Sequence, residues 1–175
     1  SAQSNESRHA GAEMSSVGPI KRVTLWVRDA DASLAIYRDV LGLEVLEDKR
    51  IAGPMIAQMV GLQDAKLRIV HLGPKGSTHG WIGLYELSEA KPAVATLATP
   101  PPDRPAYGQA TIVLTTDRGS EILQGLRERG VRFMTTPREY TKEAASDVMP
   151  AGHYTEVIFF DPDNVPVSLI GFRAL

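Results

Sequence analysis

A pattern that occurs twice constrains this 175-residue chain more than any single motif does. The stretch "VTLWVRD", ending at Asp29, is rich in β-branched and aromatic residues, as a strand should be. "DADASLAIYRDVLGL" then switches to helical spacing at Leu34, Tyr37, Val40 and Leu41, with Asp31 placed to cap the start and Gly42 just past the end. Later, "ATIVLTTD" followed by "DRGSEILQGLRERGVRF" replays the same order. Asp29 and Gly42 are 13 positions apart, as are Asp117 and Gly130, and the copies are offset by 88. A chain of this length therefore folds as two copies of one unit sharing an interior.

In the first copy, "LEVLEDKR" reads as a second strand, "MIAQMVGL" as a short helical segment, and "KLRIVHLG" and "WIGLYEL" as third and fourth strands. The unit is thus βαβββ. Residues 1–18 are polar and small and read as a disordered tail. Residues 19–90 form the first module, the proline-rich stretch 91–106 a linker, and 107–175 the second module. Within the second module, residues 134–153 read as an inserted loop. The module closes with "YTEVIFFDPDNVPVSLIGF", two strands joined by a tight "DPDN" turn.

"VTLWVRDADASLAIYRDVLGLEV", followed after a repeat by "VIFFDPDNVPVSLI", resembles the vicinal oxygen chelate superfamily. That superfamily includes glyoxalase I, fosfomycin and bleomycin resistance proteins, methylmalonyl-CoA epimerase and extradiol dioxygenases. The resemblance covers about residues 19–173 and implies an α+β fold in which two tandem βαβββ modules form incomplete barrels around a shared cleft. It does not name the chemistry, because one fold carries many reactions.

In metal-dependent members, four cleft-facing side chains hold one divalent ion that acts as a Lewis acid. Carried across by position, the first ligand place falls on Arg22, seven residues before Asp29, and its second-module counterpart on Ala110, seven before Asp117. The place after the "DPDN" turn falls on Ser168. On the fourth strand, "LYEL" puts Glu86 there, whereas alignment on the start of the strand puts Gly83 there. The resemblance thus implies that the usual metal site is lost and that no cofactor is needed. A divalent metal would require relocated ligands, such as His71 and His153 with Glu86 or Glu156.

An arginine cannot ligate a cation, and its fixed charge repels one. Strand alternation puts Arg22, Thr24 and Trp26 on the cleft face, with Val23, Leu25 and Val27 against the helix. Arg22 then supplies positive charge for a carboxylate, enolate or phosphate, or pairs with an acid such as Glu86 to fill a vacant site. With Trp26, Tyr85, Ile112 and Leu114 nearby, the cleft is mostly apolar, as small-molecule sites are. Candidate substrate-binding residues are Arg22, Trp26, Tyr85, Glu86, His153 and Ser168, with no catalytic residue assigned.

A formal charge of −2 gives no electrostatic reason to expect nucleic acid or an anionic membrane as partner. The absence of cysteine excludes disulfides and thiolate chemistry. No apolar run reaches the ~20 residues a membrane helix needs, and no signal-peptide core is present. The expectation is a cytoplasmic homodimer that binds a small, partly apolar or aromatic, anionic molecule, for sequestration or metal-independent conversion. The alternatives are a metal-dependent lyase, isomerase or dioxygenase with relocated ligands, and a regulatory partner with no ligand.

Overall fold

Each repeat builds one sheet with a helix across one face, as shown by a computed structural model that describes residues 16–88, 94–95, 97 and 104–175. In the first module β1 (Arg22–Trp26) leads into α1 (Ala30–Tyr37), then β2 (Glu44–Ala52), α2 (Pro54–Val60), β3 (Lys66–Gly73) and β4 (Trp81–Leu87). The second module runs β5 (Ile112–Thr116), α3 (Gly119–Glu128), β6 (Arg138–Lys142), β7 (Gly152–Phe160) and β8 (Pro166–Arg173). The two sheets have matching orders, β1-β4-β3-β2 and β5-β8-β7-β6, with the first pair in each parallel and the others antiparallel. Residues 1–15 of the expected tail, and much of the expected linker, lie outside the described residues.

Alternation decides which face of each sheet is buried. Leu25 and Val27 of the first sheet join Leu34, Ile36 and Tyr37 in one core with Leu123, Leu126, Phe159 and Leu169 of the second module. The modules therefore pack through their helix faces, and neither sheet closes into a barrel; the opposite face of the first sheet is partly covered by α2, where Ile56 packs on Leu67, Ile69, Tyr85 and Leu87, and is open beyond it. The tightest tie between them is Asp161, a buried carboxylate at the start of the "DPDN" turn. It accepts the backbone N–H groups of Asp163 and Val165 at 2.8 and 2.9 Å, and the Tyr37 hydroxyl of the first module at 2.7 Å. Burial pushes its pKa up in spite of these donors, and burial followed by the carboxylate's charge raises that of Tyr37 well above the ordinary phenol value.

Two sequence expectations change. The segment 134–153 is not loop throughout, because Arg138–Lys142 forms edge strand β6 against β7. Its Tyr140 stacks on Tyr154 at 5.2 Å, and the Tyr154 hydroxyl donates to the Pro150 carbonyl at 2.7 Å, so the insertion is tied to its own sheet. Further, α1 is capped by Asp29 and α3 starts after Arg118, so the structural offset is 89 where the sequence pattern suggests 88. The shift of one residue turns Ile112 and Leu114 toward the core and leaves Val113 more than half exposed on the open face.

Replacing Tyr37 with Phe leaves a buried carboxylate short of one donor. It should lower unfolding free energy by ~1–3 kcal/mol, read in urea melts as a lower midpoint with unchanged slope.

Candidate functional site

On the face of the first sheet turned away from α1, Ile56 of α2 packs with Leu67, Ile69, Tyr85 and Leu87 in a second buried cluster, and polar and aromatic side chains gather beside it. Parallel pairing sets Arg22 beside Trp81, Thr24 beside Gly83 and Trp26 beside Tyr85. Antiparallel pairing then sets Gly83 beside His71, and His71 beside Glu47. A register shift between Val45 and Glu47 on β2 aims Glu47 at this row, as bulges do. The row Arg22, Trp81, Gly83, Tyr85, His71 and Glu47 therefore follows from strand parity.

Aromatic contacts make the face one surface. Trp26 meets Tyr85 edge-on with ring centres 5.6 Å apart, and His71 lies 5.7 Å from Trp81 and 6.0 Å from Tyr85. The Arg22 guanidinium carbon sits 6.0 Å from the Tyr85 ring centre, and Lys21 Nζ 3.9 Å from that of Trp81. Trp26 is 51% exposed while Tyr85 is 8%, so the indole stands as a wall and the phenol forms part of the floor. Among the described residues, no carboxylate forms an ion pair with Arg22.

His71 is buried between charges of both signs. Its Nε2 lies 3.3 Å from the Tyr85 hydroxyl. Its Nδ1 lies 3.0 Å from Glu47 Oε2, close enough for ionic attraction although not aligned as a hydrogen bond. Glu47 also pairs with Lys49 at 2.9 Å. Burial first, and Arg22 second, push the imidazole pKa below 6.5, against the opposing pull of Glu47. His71 is therefore neutral at pH 7. The Glu47 carboxylate, held below its ordinary range chiefly by Lys49, favours a proton on Nδ1, which leaves Nε2 to accept from Tyr85.

The other candidates from the sequence do not all join this face. Register puts Gly83, not Glu86, on it. Glu86 points to the helix side, where its carboxylate accepts the Ala30 N–H at 2.7 Å, an acid at a helix N-terminus. His153 has the parity of Thr155 and Val157, which places it on the helix side of the second sheet with Nδ1 2.9 Å from Thr141 Oγ1. It lines a small cavity of about 40 Å³ beside the start of α3. Ser168 stays on the open face of the second sheet, beside Val113 and Ile158. Given the offset of 89, the second-module partner of Arg22 is Thr111 and not Ala110.

The four places that the resemblance assigns to metal ligands would fall, in this register, on Arg22, Gly83, Thr111 and Ser168. One guanidinium, one hydrogen and two neutral hydroxyls do not suit a divalent ion. Among the described residues no three His, Asp or Glu side chains converge as a ligand group. His71 and His153 lie on different sheets. Gly83 also explains the packing, since a Cβ there would meet the Tyr85 ring at 3.0 Å and His71 at 3.5 Å. The space beside Gly83 is used by the phenol and the imidazole. The sequence offers His71 only as a possible relocated ligand and gives no sign of Glu47 as its partner, because the register shift in β2 changes the pairing.

A sheet of order β1-β4-β3-β2 that recurs in tandem, with equivalent positions facing outward from β1 and β4, defines the paired βαβββ class. The family profile described as Glyoxalase/Bleomycin resistance protein/Dioxygenase superfamily matches residues 19–169, and the chain belongs to that superfamily. Among solved structures it is similar to a glyoxalase family protein from Bacillus cereus, at 16% identity over 91% of this chain and 98% of that one, with a TM-score of 0.66. It is also similar to a glyoxylase/bleomycin resistance protein/dioxygenase domain from Frankia sp. EAN1pec, at 18% identity, 90% and 94% coverage and a TM-score of 0.53. A third is the trypanothione-dependent glyoxalase I of Leishmania major, at 17% identity, 89% and 87% coverage and a TM-score of 0.52. At these identities the likeness is one of fold. No curated protein matches. Among the described residues no helix is long and apolar enough to cross a membrane.

A histidine whose folded pKa lies below its unfolded value of 6.5 adds stability at higher pH, and loses it as pH falls through the folded value. Thermal melts from pH 7.5 down to 5 should therefore show a loss of stability that begins near 6.5, with a shallower slope in His71→Gln than in the parent.

Proposed function

We propose that the open face of the first sheet binds a small aromatic or partly apolar organic anion, with Arg22 as its charged anchor. The observation that carries this reading is the setting of Arg22. It is exposed, joined to no carboxylate among the described residues, paired with Trp81 across the strands, and 6.0 Å from the Tyr85 ring that Trp26 meets edge-on. A guanidinium with free donors above aromatic rings suits a planar acid, whose oxygens take the donors while its ring packs on the indole.

Members of this superfamily often dimerise and bind small molecules. In this reading the working unit is a homodimer in which the second sheet of one copy covers the first sheet of the other, bringing Ser168 opposite Arg22. Support comes from the apolar residues left on both open faces, with Trp26 at 51%, Val113 at 57% and Ile170 at 42% exposure. Binding at a water-excluding joint strengthens the Arg22 contact.

Calorimetry with benzoate, phenylacetate, phenylpyruvate and 2-naphthoate tests the anchor. Arg22→Ala should weaken the best binder by ~10- to 100-fold, the loss of one charge-assisted contact, with little change in the melting temperature of the free protein. Equal affinity in parent and variant, or binding of none of the four acids, overturns the reading. The dimer has its own check in sedimentation velocity, where Val113→Asp should shift the protein to monomer and reduce acid binding together.

A further inference from the structure

The seam between the two modules holds a groove that the Arg22 face does not share. Its volume is about 530 Å³, within the range of small-molecule sites. Ala32, Ala35 and Ile36 of α1 form one wall, on the side of the first sheet opposite Arg22. Val131, Phe160 and Pro162 of the second module form the other. The two alanines end at Cβ, so the α1 wall is shallow and flat. Two exposed arginines, Arg129 and Arg132, complete the lining just beyond α3.

Both arginines have donors to spare. The guanidinium carbon of Arg132 lies 4.0 Å from the Phe160 ring centre, and its Nη2 donates to Asn164 Oδ1 at 3.0 Å. That acceptor is itself fixed, since Asn164 sits at φ 64° in the turn and donates its N–H to the Asp161 carbonyl at 3.0 Å. The side chain of Arg129 forms no hydrogen bond or ion pair among the described residues. The acids of this region are already engaged: Asp161 by Tyr37, Asp163 by Arg28 at 3.4 Å, and Asp39 by Arg38 at 2.7 Å. The last carbonyls of α3 accept the N–H groups of Arg129, Gly130 and Val131, which covers the negative end of that helix. Positive charge at the groove is therefore in excess.

We infer that this groove is a second ligand site, which takes a phosphate monoester carrying an aromatic ring. A phosphate dianion answers two guanidiniums that no carboxylate neutralises, and the forked donors of each match a pair of its oxygens. The ring lies along Ala32 and Ala35 with Val131 and Phe160 across from it, and displaces water from apolar surface. Because the walls belong to different modules, the bound molecule ties α1 to the second module and stabilises the native arrangement.

The test is calorimetry of the full chain with 2-naphthyl phosphate and with inorganic phosphate, joined by melting curves and sedimentation velocity on the same samples. The naphthyl ester should raise the melting temperature and bind ~10-fold or more tighter than inorganic phosphate, because its ring is buried. Arg129→Gln and Arg132→Gln should each weaken it by ~10-fold or more, the loss of one charge-assisted contact. Ala32→Leu, which fills the groove from an exposed position, should also weaken it while the free protein melts as the parent does. Arg22→Ala should leave the affinity unchanged, so this site and the first-sheet site stand or fall separately. The inference is overturned by no binding at millimolar ester, by equal affinity for inorganic phosphate, or by binding that Arg22→Ala removes and the two glutamine variants keep. It is equally overturned if the glutamine variants dissociate an oligomer, since the groove is then covered by a second copy of the chain.

Discussion

The hydrogen bond from Tyr37 to Asp161 holds the two halves of the molecule in one arrangement. Apolar packing between the modules is non-directional and would tolerate some sliding. A buried carboxylate is less tolerant, because losing any of its donors leaves charge unsolvated. Asp161 takes two donors from its own turn and a third from the neighbouring module, so the turn that ends β7 forms properly only with α1 in place. Once the helix faces are locked together, the opposite face of the first sheet carries only the smaller cluster under α2, and the candidate site stands beside that cluster. Nearby, Gly125 of α3 approaches Val40, where a Cβ would come within 3.1 Å, which draws the two modules close at a second point.

The architecture was legible because it is written twice. Strand alternation and helix spacing each recur, and two independent copies reduce the chance that either pattern is accidental. Alternation also placed Arg22, Thr24 and Trp26 on one face, which the burial of Leu25 and Val27 matches. What alternation cannot supply is register between strands far apart in sequence. "WIGLYEL" allows Glu86 or Gly83 to face outward, and the choice depends on β1 lying parallel to it with Thr24 beside Gly83. The one-residue difference between repeats had the same origin, since sequence matching aligned two aspartates whereas the helices align on their starts. Strand β6 was hidden because its residues, "REYTK", are polar on both faces, as suits a sheet edge.

Charge on the open face follows from mutual exclusion. A guanidinium and a divalent cation compete for the same anion and repel each other at short range. On the faces turned away from the helices, Gly83, Thr111 and Ser168 are uncharged. The remaining acid on that face, Glu47, is held by Lys49 and His71 on β2 and β3 and so leaves Arg22 free for a ligand.

Gly83 carries a consequence for how such a chain can change over generations. A glycine that merely vacates a position is reversible, since one codon change restores the side chain. Here the Tyr85 ring lies 3.0 Å and His71 3.5 Å from where a Cβ would stand, so a side chain at residue 83 meets both rings. A larger side chain at 83 therefore needs a matching change at 85 or 71, because both rings occupy the space it would enter. The empty Cβ position ties residue 83 to its two aromatic neighbours, so the three can change only together.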